Sequence, residues 1–149
     1  MSADLEEGRR VLKIEAASIL EVADRLNGSF EKAVQLVHEC TGKVIVTGIG
    51  KSGQVARKMA STLSSTGTPA FYLHPAESSH GDMGVIAKGD LVIAFSYGGD
   101  SPEFAPLLNF IARRDVQLIG FTARGESALA KHAQVVLDIT VKEEACPLV

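Results

Sequence analysis

The sequence predicts an α/β protein: a doubly wound, five-stranded parallel sheet with helices on both faces and two extra helices at the N-terminus. Three observations predict it. From Lys43 onward, short runs rich in Val, Ile, Leu and Phe alternate with stretches of helical spacing. The runs are continuously apolar, as strands covered on both faces must be. Polar or glycine-rich stretches follow several of them, where a doubly wound sheet with right-handed crossovers puts its ligands.

The first element expected is an amphipathic helix over residues 4–26, with Leu5, Leu12, Ile19, Leu20 and Leu26 among its apolar positions. Asn27-Gly28 is expected to end it, and Ser29 to cap a second helix running to about Cys40. Two helices ahead of the first strand are more than a minimal sheet needs. Their spare apolar faces suit a neighbouring subunit. Strands are expected at 44–47, 69–73, 91–96, 117–121 and 135–139, and helices at about 54–65, 103–113 and 126–132. The 74–90 connection shows no full helix and reads as a functional loop with one turn at most.

Composition narrows the function. The 149 residues suffice for one domain, 46% of them are hydrophobic, and the net charge is −3. Basic residues are scattered rather than clustered, so a nucleic-acid surface is not expected. Residues 1–10 are charged and lack the apolar region of a secretory signal, and no apolar run is long enough to span a bilayer. Cys40 and Cys146 match no zinc or redox spacing and read as small buried hydrophobes in a reducing compartment. A cytoplasmic location is expected from these facts.

The chemistry is expected in the turns. Gly48-Ile49-Gly50-Lys51-Ser52-Gly53 follows an apolar strand and opens a helix. Backbone can approach a ligand there, and the first N–H groups of the helix have no partner of their own. With the Lys51 cation and the Ser52 hydroxyl, that turn suits a phosphate. Its G-x-G-x-x-G pattern raises a dinucleotide, but the next strand ends Tyr72-Leu73-His74 and lacks the ribose-binding acid. A P-loop fails because Ile45 stands where its first glycine belongs. No cofactor is therefore expected. Ser96-Tyr97-Gly98-Gly99-Asp100-Ser101 is a second anion turn, with Pro102-Glu103 starting a helix. The loop Glu77-Ser78-Ser79-His80-Gly81-Asp82 lies at the same edge, as does Lys142–Cys146 after the last strand. His74 and His80 lack matching metal-ligand spacing, so no metal is expected.

Taken together, VTGIGKSG (46–53), STGTPAFYLHPAESSHGDMG (65–84), Ser96–Glu103 and KEEACPL (142–148) resemble the sugar isomerase (SIS) domain family, and within it the arabinose-5-phosphate isomerases. The resemblance implies a flavodoxin-like sheet that binds phosphosugars. It also implies a tetramer interconverting D-ribulose 5-phosphate and D-arabinose 5-phosphate for Kdo, lipopolysaccharide or capsule synthesis. By this similarity Lys51, Glu77 and Glu103 fall on catalytic positions, His80 on an active-site histidine, and Glu144 on an acid near the site. Gly50, Ser52 and Ser79 join Ser96, Gly98, Gly99, Asp100 and Ser101 as substrate-binding positions.

Two departures stand out against that family. Its phosphate loop is usually Ser-Asn-Ser-Gly-Glu-Ser/Thr, whereas here Tyr97, Gly98 and Asp100 replace Asn, Ser and Glu. Family members also continue past ACPL with further helices, another catalytic histidine and often a pair of CBS domains. Residues 1–149 are thus expected to be one SIS domain, incomplete at its C-terminus and weakly active alone. The chemistry expected is enediol isomerisation, with Glu77, Glu103 or Glu144 as base and Lys51 on the phosphate or the enediolate oxygen. The alternative reading is a sugar-phosphate-sensing module of a regulator.

Overall fold

A computed structural model describes residues 2–78 and 81–146. Five strands, β1 (Val44–Gly48), β2 (Ala70–Leu73), β3 (Leu91–Phe95), β4 (Gln117–Thr122) and β5 (Val135–Asp138), form one sheet in the order β2-β1-β3-β4-β5. Every pairing is parallel. The chain winds outward from β1 to β2, then crosses to β3 and continues the other way. The reversal between β1 and β3 is the topological switch point of a doubly wound sheet.

Alternation along each strand divides the core. Val44 and Val46 of β1, Leu91 and Ile93 of β3, and Ile119 of β4 face α2 (Gly28–Glu39) and α3 (Gly50–Ser65). Ile45, Val92, Ala94 and Leu118 face the opposite way, against Leu107, Leu108 and Ile111 of α5 (Ala105–Arg113) and Leu129 of α6 (Ala128–His132). β1 and β3 are buried at every position, which explains the apolar runs Val44–Val46 and Leu91–Phe95.

Local chemistry sets the boundaries. α1 (Ala3–Arg25) starts at Ser2, whose hydroxyl accepts from Leu5 N–H. Asn27 does not end α1; it caps α2, its side-chain oxygen accepting from Ser29 N–H at 2.8 Å. Ser29 is therefore inside α2 and not its cap. An Asn beside a Gly satisfies either helix end, and here the chain leaves α1 through Leu26 in extended backbone. α3 begins at Gly50 rather than Gln54, because Gly50 takes φ +57° and turns the strand directly into the helix. The 74–90 connection holds two single turns, α4 (Pro75–Ser78) and a 3-10 turn at Asp82–Val85.

Opposite the ligand edge, the Asp90 carboxylate is almost fully buried. It accepts from Lys43 N–H at 2.9 Å, Ala87 N–H at 2.7 Å and Lys43 Nζ at 2.7 Å. Three donors on one buried carboxylate tie the start of β1 to the turn before β3. Burial alone would raise the Asp90 pKa, but the Lys43 and Ala87 hydrogen bonds and the Lys43 charge outweigh it and hold it below its ordinary value.

α1 stands apart from this core and buries none of its residues. Chain after β5 runs along it: Arg25 Nη2 donates to Thr140 O at 2.7 Å, Lys142 pairs with Glu21, and Arg10 Nη2 donates to Ala145 O at 2.6 Å. Cys40 is half-buried and donates to Gly89 O, whereas Cys146 is exposed, so the expectation of two buried thiols fails for Cys146.

Candidate functional site

Three turns meet at the carboxyl ends of adjacent strands. Residues 48–53 follow β1, residues 74–85 follow β2 and residues 96–104 follow β3, and these strands lie side by side in the order β2-β1-β3. α4, which carries Glu77, packs against the 3-10 turn Pro102–Phe104, which carries Glu103. Lys51 and Ser52 occupy the first turn of α3. The spatial convergence expected of Lys51, Glu77, Ser101 and Glu103 is thus present in the backbone.

Side chains at this rim are of two kinds. Lys51 Nζ, Ser52 Oγ and Ser101 Oγ take part in no hydrogen bond or ion pair among the described residues. Ile49, at the N-cap of α3, offers no capping atom, so its first N–H groups also lack a side-chain acceptor. Ser101 likewise makes no side-chain cap to its own helical turn. Glu77 and Glu103 are exposed.

The remaining groups of the β3 turn are committed to holding it. Ser96 is buried and its Oγ accepts from Gly99 N–H at 3.1 Å. Tyr97 O accepts from Thr122 Oγ1 at 3.0 Å and from Ala123 N–H at 2.9 Å. Gly99 sits at φ +72°, and a Cβ there would lie 2.1 Å from Ser127 Oγ, so only glycine fits. Asp100 Oδ1 accepts from Ala128 N–H at 2.8 Å, and its other oxygen lies 3.6 Å from Arg124. Ser96 and Asp100, expected as substrate contacts, each have a side-chain oxygen engaged by a backbone N–H, Ser96 buried and Asp100 half exposed. A Cβ on Gly98 or Gly50 would meet nothing within 4 Å, so open space adjoins both.

Two expected residues, Ser79 and His80, lie outside the described residues. Glu144 lies in the segment that follows β5. β5 is three strands from β1, about 14 Å at ordinary strand spacing, and residues 140–145 are bound to α1.

One participant escaped the sequence reading. Tyr72 of β2 faces α3, and its Oη donates to Gly48 O at 2.7 Å. Arg57, one turn along α3 from Gly53, places its guanidinium 3.9 Å above the ring. The ring of His74 meets Tyr72 edge-on at 6.3 Å, and its Nδ1 accepts from Ala76 N–H in α4. Burial raises the Tyr72 pKa; the Arg57 charge opposes that and the Glu77 carboxylate adds to it. The signal was available in strand alternation, which turns Tyr72 toward α3.

Fold and rim together define a doubly wound α/β domain whose switch point offers unclaimed donors to an anion. The chain belongs to the SIS domain family, whose model matches residues 38–149. It is similar to the arabinose 5-phosphate isomerase KdsD of Salmonella typhi, 46% identical over 143 residues, covering 96% of this chain and 44% of that protein. The protein of the same name from Pseudomonas aeruginosa is 46% identical over 144 residues, covering 97% of this chain and 44% of its own length. This chain therefore spans less than half of those relatives. Among solved structures, E. coli CFT073 c3406 in complex with arabinose 5-phosphate superposes with a TM-score of 0.92 at 36% identity, covering 99% of this chain and 80% of that one.

Proposed function

We propose that this chain is the isomerase domain of an arabinose-5-phosphate isomerase, interconverting D-arabinose 5-phosphate and D-ribulose 5-phosphate. The observation that carries this reading is the set of unclaimed donors at the switch point, Lys51 Nζ, Ser52 Oγ and Ser101 Oγ, flanked by the carboxylates of Glu77 and Glu103. Donors of that kind suit a phosphate, and carboxylates beside them suit proton abstraction. The names of the similar proteins support the same substrate.

In the reaction a carboxylate takes the C2 proton of the aldose. The C2–H electrons become the C1=C2 bond of an enediol and the carbonyl electrons move to O1. The proton is returned at C1, and the O2 hydroxyl proton passes to O1 as the O2–H electrons form the C2 carbonyl, giving the C1 hydroxyl of the ketose. Glu77 and Glu103 are the nearer candidates for the base, and Glu144 would reach this rim only by another arrangement of chains. A carboxylate gains basicity as it loses water, and substrate lying over the rim would exclude it. Lys51 holds the phosphate or the enediolate oxygen. Ser52, Ser79, His80, Gly50, Gly98 and Ser101 complete the substrate contacts in this reading, and Gly99 shapes the turn that carries the last two.

The setting proposed is a cytoplasmic tetramer supplying Kdo for lipopolysaccharide or capsule. The exposed apolar face of α1 supports an assembly of copies, and no helix among the described residues is long and apolar enough to cross a membrane. The test is proton NMR of the natural protein with D-arabinose 5-phosphate in deuterium oxide. Ribulose 5-phosphate carrying deuterium at C1 is expected. Neither conversion nor loss of the C2 proton would sink the proposal.

A further inference from the structure

Asp100 lies in the turn after β3 but serves a different end from its neighbours. Its Oδ1 accepts the Ala128 N–H at the start of α6 at 2.8 Å. Next to it, Leu129 N–H donates to Gly99 O at 3.0 Å. Thr122 Oγ1 and Ala123 N–H hold Tyr97 O from the end of β4. Ser127, which caps α6 through its own Oγ to Ala130 N–H, occupies the space a Cβ on Gly99 would need. The turn is therefore fastened at both ends to the β4–α6 connection, and between the fastenings Gly98 stays open and Ser101 unengaged.

We infer that Asp100 is a positioning residue, a peg that presents the Gly98–Ser101 backbone and the Ser101 hydroxyl to the phosphate of the substrate without touching it. This rests on the phosphosugar reading above and assigns Asp100 a role within it. The geometry argues against a direct contact. A carboxylate aimed at a phosphate dianion would repel it, whereas this one is engaged by Ala128 N–H and partly neutralised by Arg124, 3.6 Å from its second oxygen. The Arg124 pair is solvent-exposed, with 69% and 50% of the two side chains accessible, so the backbone hydrogen bond is the part that fixes the turn.

A hydrogen-bond acceptor, not a charge, is thus what the position requires. Asp100→Asn keeps an oxygen for Ala128 N–H; Asp100→Ala removes it. Because the turn grips a part of the substrate remote from the reacting carbons, loosening it should weaken ground state and transition state together, raising KM with little change in kcat.

The experiment measures KM and kcat for D-arabinose 5-phosphate, and Kd for inorganic phosphate by calorimetry, in the natural protein and both variants. Expected are KM and phosphate Kd raised about tenfold in Asp100→Ala with kcat within about threefold, and both constants restored to within about threefold in Asp100→Asn. If Asp100→Ala does not fold at assay temperature, Asp100→Ser, whose oxygen is too short to reach Ala128 N–H, replaces it. Equal losses in Asn and Ala would show a charge acting on the ligand and overturn the proposal. An Ala variant that binds like the natural protein would overturn it as well, while leaving the isomerase reading standing. A natural protein that binds neither phosphate nor sugar phosphate would overturn both.

Discussion

Tyr72 Oη donates to the carbonyl of Gly48 at 2.7 Å, just where β1 gives way to the Lys51 turn. The β1–β2 ladder ends one residue earlier, at Thr47 opposite Leu73, while β1–β3 pairing runs on to Gly48 and Phe95. The phenol thus supplies a hydrogen bond beyond the end of β2. A Cβ on Gly53 would lie 2.8 Å from Gly48 O and 3.0 Å from the phenol, so strand end, helix start and tyrosine close on one another. Tyr72→Phe keeps the ring under Arg57 and removes only that bond. The expected loss is about 1 kcal/mol of unfolding free energy by urea titration, with amide exchange faster at residues 48–53. Tyr72→Ala should lose about 3 kcal/mol, since it also removes the ring.

Asp90 sets an acid limit on the fold. Its carboxyl is held below its ordinary pKa, so the folded state gains stability while Asp90 is ionised. That contribution is fully present above the unfolded-state value of about 3.9 and is lost as the pH falls through the lower folded-state value. Asp90→Asn keeps the shape and removes the proton linkage. Urea midpoints followed from pH 6 down to 2 should fall less steeply below about pH 4 in the variant than in the natural chain. Parallel curves would contradict this account. At neutral pH the variant should be less stable by roughly 3 kcal/mol, because Lys43 Nζ loses its buried partner.

The five strands, their parallel doubly wound class and the turns gathering at one edge were legible because apolar runs alternate with helical spacing and polar turns. β1 and β3 are buried at every position and, apart from Thr47 and Gly48 at the end of β1, apolar, as strands of a sheet covered on both faces are. Helix edges were less so. Asn27-Gly28 satisfies the end of one helix and the start of another, and only the extended backbone at Leu26 decides between them. Gly50 opened α3 four residues early because a left-handed glycine leaves no trace in hydrophobic periodicity. Asp100 and Ser96 were expected as substrate contacts from the family resemblance, which names the turn but not the hydrogen bonds its side chains make within the protein. Their oxygens are claimed by Ala128 and Gly99, one of them distant in sequence. Glu144 was placed near the site by the family resemblance and by its position after the last strand, and Arg10, Glu21 and Arg25 of α1 hold the segment that carries it.

The base assignment separates by substitution. Glu77→Gln and Glu103→Gln keep size and hydrogen bonding while removing the ability to take a proton. In the natural protein at least one of them, or Glu144→Gln, should lower kcat by about a hundredfold or more, with a melting midpoint close to that of the parent. Three variants with unchanged turnover in a coupled ribulose 5-phosphate assay would rule out carboxylate catalysis at these positions.

Phe104 links the core to Glu103. Its side chain is 2% exposed and packs with Leu107 and Ile111 beneath the turn that carries Glu103. Phe104→Leu should cost about 1–2 kcal/mol and Phe104→Ala about 3–5 kcal/mol. In both variants kcat should fall further than stability alone explains at a temperature where each is fully folded, since the turn carrying Glu103 rests on this ring. An activity loss that tracks only the folded fraction, followed by circular dichroism, would break the link.

α1 makes the strongest case for assembly. An isolated helix in water is marginal unless its apolar face is packed, yet α1 is 23 residues long and buries none of them. Leu12, Ile19 and Leu20 are each about two-thirds exposed, and the contacts with residues 138–145 are polar. Packing those side chains against a second copy would remove apolar area from water at about 25 cal/mol per Å², enough to hold the helix and join subunits. Sedimentation velocity of the natural protein at micromolar concentration should give a tetramer. The double substitution Ile19→Lys and Leu20→Lys should shift it to smaller species and lower the helical signal by circular dichroism. A monomer in the natural protein, or a double variant that sediments like its parent, would place the assembly surface elsewhere and leave the exposed face of α1 without this explanation.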